Sequence, residues 1–263
     1  TIGNVGVADL VWDIEEAAPI EIPASNGDFP RGKAAPSFGP APEEAMRTAV
    51  AGEPNLAVRL PGTFAFSTDA AVSTHVYFDS DTPGTLNTLG PATSYFWAGD
   101  FVGADLTKTY VIRDDNTLMT VNAATGAETS IGTLAVPPGG ETYTGMTFDP
   151  ATGNVYATSC NITTSSLFTI DVTTATATRI GAITNSPCSI GIGADDSGNL
   201  YTYDLVNDSF LSVNKATGAG TIIGSIGFDA NYGQGMDFDS VTGTMYMTAF
   251  NNATFVPEFR AVD

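Results

Sequence analysis

Three regularities of this sequence predict an all-β chain of four-stranded antiparallel blades, the plan of a β-propeller. First, FDPATGNVY (148–156) returns as FDSVTGTMY (238–246) with ADDSGNLY (194–201) between them, and Gly153, Gly198 and Gly243 fall 45 residues apart. A Gly shortly after Asp-Pro or Asp-Ser supplies the positive φ of a tight turn, so each copy reads as the hairpin joining two strands. Second, a strand-like segment recurs at the end of each unit, as TLNTLG to Gly90, TSIGTL from Thr129, TRIGAI from Thr178 and TIIGSI from Thr221. Third, the repeat of ~40 to 45 residues has room for four short strands, which is the size of a propeller blade; solenoid repeats are usually shorter.

The elements follow in chain order. VADLVWDIEE (7–16) alternates, with Leu10, Trp12 and Ile14 on one face, as a half-buried strand does. Eight of the fifteen prolines lie between Pro19 and Pro61, so residues 17–62 read as an extended Pro-rich linker. Within it PEEAMRTAVAG (42–52) carries Pro and two Glu at its start and Gly at its end, the signals of a short helix. Blades occupy 63–263. His75–Gly90 matches the third and fourth strands of a unit, and a whole unit runs from about Ser94 to Leu134. In the reference unit, Gly145 to Ile183, the strands are GMTFD, NVYATS, SLFTIDV and ATRIGAI, with PATG and TTAT as turns. The next, Ser189 to Ile226, repeats the order. Residues 233–263 supply a first, second and third strand, EFRAVD standing where LFTIDV stands before.

That count is three complete blades between two partial ones, so the ring is incomplete on this reading. Six to eight blades would require more chain or a second chain, and five would set the two ends in competition for one place. The expectation is a chain cut through a propeller, accompanied by a second fragment of the same precursor or drawn from a longer one.

Composition bounds the function. Hydrophobic residues make up 43% and charged residues 14%, the balance of a folded chain. No apolar run approaches the ~20 residues that cross a bilayer, so membrane insertion is not expected. With 29 acidic against 9 basic residues and a net charge of −20, neither nucleic acid nor an anionic membrane is an expected partner, because both are held by Lys and Arg. Thr1 stands first with no signal segment, which reads as a processed or excised piece. The Thr-rich, Lys-poor composition fits an extracellular, secreted or cell-surface protein, and Cys160 and Cys188 would form one disulfide there.

The repeating DPATG and NxATGA turns resemble those of propeller repeats in large secreted bacterial proteins, over about 170 residues. GQGMD (233–237) resembles a calcium-binding nonapeptide repeat but occurs once. Residues 1–16, beginning TIGNVGVADLVWDI, resemble the last strands of an immunoglobulin-like repeat written N-x-G-x-A-D-L-x-W, found in multidomain surface proteins and in the tails of secreted subtilisin-like peptidases. This second resemblance implies that the parent could be an enzyme. No residue of a subtilisin catalytic site can be placed on the chain.

Alternation of strand direction puts the short turns PATG, AATG, DDSG, KATG and SVTG at one end of every blade. At the other end lie LAVPPGGETY, SCNITTSS, ITNSPC, DLVNDS, IGFDANYGQ and AFNNATFVP, which differ in length. Irregular loops on a rigid scaffold commonly carry binding, so this end is the candidate face, with Glu141, Tyr143, Asp204, Asp208, Asp229, Tyr232 and Phe250 as candidate binding residues. Cys160 and Cys188 fall at this end on adjacent blades.

Catalytic patterns are sparse. His75 is the sole histidine, which excludes a two-His metal site, and in the strand-like HVYF it reads as structural or solvent-facing. Asp114/Asp115 and Asp195/Asp196 fall in turns, where Asp caps backbone groups. Calcium could be held by acidic loops, which would need six to eight oxygens from separate segments. Asn161, Asn207 and Asn252 head N-x-S/T sequons in equivalent loops, explained by repetition as turn asparagines and alternatively as glycosylation sites.

The function expected is a non-catalytic binding or display module recognising a glycan, a peptide or neighbouring copies of itself. The alternatives are part of an extracellular enzyme, either a polysaccharide hydrolase or lyase or the accessory region of a peptidase, and a structural subunit of a surface layer or filament.

Overall fold

The structure, a computed structural model, describes residues 64–70, 72–232 and 235–262. The strand at 7–16 with its immunoglobulin-like resemblance, the Pro-rich segment and the helix over 42–52 lie outside the described residues. Those described form five antiparallel sheets arranged as a five-bladed propeller. The first blade holds β1 (Phe64–Asp69), β2 (Thr74–Asp79) and β3 (Asn87–Pro91); the second β4 (Phe96–Phe101), β5 (Lys108–Arg113), β6 (Thr117–Asn122) and β7 (Glu128–Thr133). The third is β8 (Thr142–Asp149), β9 (Asn154–Cys160), β10 (Ser165–Asp171) and β11 (Thr176–Ala182). The fourth is β12 (Ser189–Ala194), β13 (Leu200–Asp204), β14 (Ser209–Val213) and β15 (Gly220–Ser225). The fifth is β16 (Met236–Asp239), β17 (Thr244–Asn251) and β18 (Val256–Val262).

Strand composition sets position within a blade. In the third blade, β9 and β10 are buried over most of their length, while the outer β11, TATRIGA, is largely open. Strands sandwiched between neighbouring blades are apolar on both faces, and outer strands carry Thr, Arg and Gly toward water. Blade contacts form successive cores: Ile112 and Leu118 with Met146 and Phe168, Tyr156 and Leu167 with Ile192 and Leu200, Tyr203 and Leu205 with Met236 and Met247. Burying each such side chain contributes about 1.5–3 kcal/mol.

The ring closes through aromatic contacts of the first blade. Phe66 on β1 meets Phe101 at the end of β4, ring centroids 5.0 Å apart, and Phe78 on β2 meets Phe259 on β18 at 5.3 Å. The expected competition between the two ends is therefore resolved: they form separate three-stranded sheets side by side. Sequence matching found two strands of the first blade, and the structure adds β1 ahead of them.

The repeated turn, Asp-x-x-x-Gly at Asp149 and Asp239 and Asp-x-x-Gly at Asp195, has a local cause. Asp149 Oδ1 accepts the Ala151 amide at 2.9 Å, Asp195 Oδ1 that of Ser197 at 3.0 Å and Asp239 Oδ1 that of Val241 at 2.9 Å. Gly198 adopts φ +77°, where an L side chain is strained, and a Cβ there would lie 2.6 Å from Asp149 Oδ1 on the preceding blade. Around the axis, β4, β8, β12 and β16 stand innermost, each paired on one side only. The inner strands approach so closely that a Cβ on Gly145 would sit 2.8 Å from Gly191.

Candidate functional site

Two regions stand out, one at the irregular-loop end and one on the axis. At the loop end Cys160, closing β9, and Cys188, just before β12, form a disulfide with Cα atoms 5.0 Å apart, both fully buried. The pairing joins adjacent blades at one end, as the strand assignment expects.

The seven candidate binding residues surround this bridge and the next blade junction. Glu141 is buried, with Oε2 accepting from Ser159 Oγ at 2.5 Å and Oε1 from Thr164 Oγ1 at 2.7 Å. Tyr143 donates its hydroxyl to the Ala135 carbonyl at 2.9 Å, and burial pushes its phenol up to about 12. Asp204 accepts from the Cys188 amide at 2.8 Å, the Asn207 amide at 2.7 Å and Ser186 Oγ at 3.1 Å. Burial raises the Asp204 pKa against these bonds, which pull it down. Asp208 accepts the Ala230 amide at 3.0 Å, Asp229 accepts from Asn252 Nδ2 at 3.0 Å, and the Tyr232 ring stands edge-on to Phe250 at 5.0 Å. Asp208, Asp229, Tyr232 and Phe250 thus meet at the fourth–fifth junction, Glu141 and Tyr143 brace the third blade, and Asp204 braces the third–fourth junction.

Between these braces lies a cleft of ≈ 410 Å³, open to solvent, between the third and fourth blades. Thr163, Thr164, Asn185, Ser186 and Asn207 supply hydroxyl and amide groups, over Ile183, Pro187 and Ile222. Among the described residues, no charged side chain lines it. Three irregular loops identified in the sequence, SCNITTSS, ITNSPC and DLVNDS, form its rim. Of the sequon asparagines, Asn161 accepts from the Thr163 amide and donates to the Gly139 carbonyl, both at 2.9 Å, and so holds its own loop.

On the axis, strand register makes four inner positions equivalent, each opposite a tyrosine: Asp100 opposite Tyr110, Thr147 opposite Tyr156, Gly193 opposite Tyr201 and Asp237 opposite Tyr246. Asp100 accepts the Phe148 amide at 2.6 Å and interacts with Asp237. Burial, then the charge of Asp237, holds Asp100 well above the usual carboxylate range, against hydrogen bonds from the Phe148 and Phe101 amides and the Thr147 side chain. Asp237 is solvent-accessible, yet the protein enclosing it lifts its carboxyl to about 6, with Asp239 adding repulsion. Next to this layer, Ala98, Gly99, Met146, Ile192 and Met236 line a cavity of ≈ 30 Å³. This pair was missed from sequence; its trace is the DF dipeptide at 100–101 and 237–238, which only the tyrosine register brings into alignment.

His75 is structural. Its Nε2 bonds Glu128 Oε1 at 2.9 Å and its Nδ1 bonds Thr68 Oγ1 at 3.0 Å, tying the first blade to the second. Among the described residues no group of three or more His, Cys, Asp or Glu is arranged for a metal, and no helix is long and apolar enough to cross a membrane.

No protein-family model matches the sequence, and no curated protein is similar to it. The similarity is to solved structures. A chain of a nidogen/laminin complex aligns with 72% of this chain over 70% of its own length, at 13% identity and a TM-score of 0.50. Regucalcin, a calcium-binding protein from Agrobacterium tumefaciens, aligns with 82% over 69%, at 14% identity and 0.48. A Bacteroides thetaiotaomicron protein of unknown function aligns with 67% at 14% identity and 0.41, and the chain spans about half, 51%, of its length. The structural neighbours include β-propeller proteins, some named as a lyase or a gluconolactonase; at such identities they show the fold alone.

Proposed function

We propose that this chain is a binding module of a secreted or cell-surface protein, taking a neutral glycan in the cleft between the third and fourth blades. The observation that carries this is the uncharged cleft on a protein of net charge −20. Its volume falls in the ~300–1,000 Å³ range of ligand pockets. Hydroxyls and amides match sugar hydroxyls, and Ile222, 53% exposed, offers an aliphatic surface to the C–H face of a pyranose ring. The disulfide beneath fixes the rim and fits an oxidising compartment. A peptide and a second copy of the chain are the competing occupants.

An enzymatic role has one observation in its favour, the interacting carboxylates Asp100 and Asp237, since groups with raised pKa values suit acid–base work. The adjoining cavity of ≈ 30 Å³ admits only one or two waters, so binding is the preferred reading. A panel of immobilised neutral and acidic oligosaccharides tests it. Retention of the protein on a neutral member, abolished by Ile222→Arg and weakened by Asn207→Ala but kept by Val241→Arg at the short-turn end, is expected. Cleavage of a panel member would favour the enzyme, and retention unaffected by the cleft variants would place the site elsewhere.

A further inference from the structure

We infer that the outer edge of β18 is a docking site for a segment of a second polypeptide, an Ala-Thr-Gly turn followed by a Thr-x-Ile-Gly strand, which completes the fifth blade. In the second, third and fourth blades an outer strand covers the third one: β7 pairs with β6, β11 with β10 and β15 with β14. Tyr246 opposes Ala261 as Tyr201 opposes Ser212, so Glu258–Val262 corresponds to Ser209–Val213, the stretch of β14 that β15 pairs with. Among the described residues β18 pairs with β17 alone. Burial agrees: β6, β10 and β14 are buried over most of their length, whereas in β18 only Phe259 is. Amides and carbonyls along such an edge template a further strand. Pro257, which cannot donate, lies just ahead of the pairing stretch.

Both neighbours of that edge are shaped for the same occupant. Gly90, Gly132 and Gly181 each meet the turn before the outer strand of the following blade, at Thr125, Ala175 and Thr217. Gly224 stands where it would meet such a turn of the fifth blade, and a Cβ on it would have no described atom within 4 Å. On the far side, the corresponding turn of the first blade leaves Asp81, Thr82 and Gly84 exposed, and a Cβ on Gly84 would likewise meet nothing within 4 Å. At the other junctions that turn receives the glycine of the preceding outer strand. The occupant therefore needs a turn to fill the space at Gly224 and, six or seven residues on, a glycine to clear residues 81–84. Thr125 to Gly132, Ala175 to Gly181 and Thr217 to Gly224 have that spacing. The outer strands β3, β7, β11 and β15 are all engaged in their own blades, so a second copy could lend one only by opening a blade. Residues 1–62 contain no Thr-Gly turn. In strand addition the main-chain hydrogen bonds give affinity, and fit along the groove gives specificity.

The test titrates the intact chain into a fluorescein-labelled peptide, NKATGAGTIIGSI, the sequence of residues 214–226, and follows anisotropy. Expected are one peptide per chain, slowed exchange at the outward amides of 258–262, and at least a tenfold loss of affinity for a scrambled peptide and for the Gly224→Val protein. Val obstructs the incoming turn, and the open space at Gly224 lets the variant fold, as unchanged urea unfolding would confirm. The scrambled peptide makes the result independent of any variant's folding. Val136→Arg, on the loop between the second and third blades, should bind as the wild type does. No binding, or binding indifferent to Gly224→Val, would overturn the site. Full protection of 258–262 before peptide is added would overturn it too; sedimentation would then assign the edge to a second copy if the chain is dimeric and to residues 1–62 if it is monomeric.

Discussion

Gly181, in the outer strand of the third blade, lies so close to Thr217 of the fourth that a Cβ on it would collide with the Thr217 carbonyl oxygen. Gly90 meets Thr125 of the second blade in the same way, at 2.6 Å, and Gly132 meets the Ala175 methyl at 2.8 Å. The glycine of the recurring outer strand is therefore the point where each blade receives the last turn of the next. Gly224, its equivalent on β15, has nothing within 4 Å. Gly181→Ala should cost about 1–3 kcal/mol by overpacking against backbone, whereas Gly224→Ala should stay within about 0.5 kcal/mol of the parent. Urea unfolding of the two variants compares them, and equal effects would refute the contact.

The Cys160–Cys188 bridge closes a loop with a sequence separation of 28 residues. Thiol labelling under denaturing, non-reducing conditions should find no free cysteine in the protein. Cys160→Ser and Cys188→Ser should each lower stability by about 2–4 kcal/mol, and by similar amounts, because either one removes the same constraint on the unfolded chain.

Lys215 Nζ bonds Asp149 Oδ2 at 2.8 Å and the Gly198 carbonyl at 2.9 Å, linking the third and fourth blades at the short-turn end. Burial alone would raise the Asp149 pKa; hydrogen bonds from Lys215, Thr152 and Ala151 outweigh it and leave the group below its ordinary value. A depressed carboxylate pKa stabilises above the unfolded value of ~4, and that contribution is lost as pH falls through the lower folded value. Lys215→Met should therefore cost about 1–3 kcal/mol at pH 7, toward the low end because Lys215 is partly exposed. Stability curves of variant and parent should converge in acid. A penalty constant down to pH 2 would show that packing, and not charge, is what Lys215 supplies.

The architecture was legible because it depends on local chemistry repeated at a fixed period. The Asp and Gly of each short turn, and the glycine of each outer strand, announce themselves in any copy. The disulfide followed from the same bookkeeping of strand ends. The axial pair was not legible, because Asp100 lies before a longer loop, 102–107, while Asp237 precedes the four-residue turn 240–243, so no fixed spacing aligns them. Glu141, Asp204 and Asp208 could be placed on the loop end but not seen as braces, since a carboxylate that holds a loop and one that awaits a ligand look alike in sequence. The cleft was invisible for a related reason: its walls come from common Thr, Ser, Asn and Ile residues brought together only by the junction of two blades.

Hydrogen–deuterium exchange, with and without the best-retained neutral oligosaccharide of the panel, tests the proposed binding site most directly. The account predicts slowed exchange in segments 163–165, 183–187 and 205–208 and none at the short turns 149–153, 195–198 and 240–243. Protection confined to the short turns, or no neutral oligosaccharide retained at all, would contradict it.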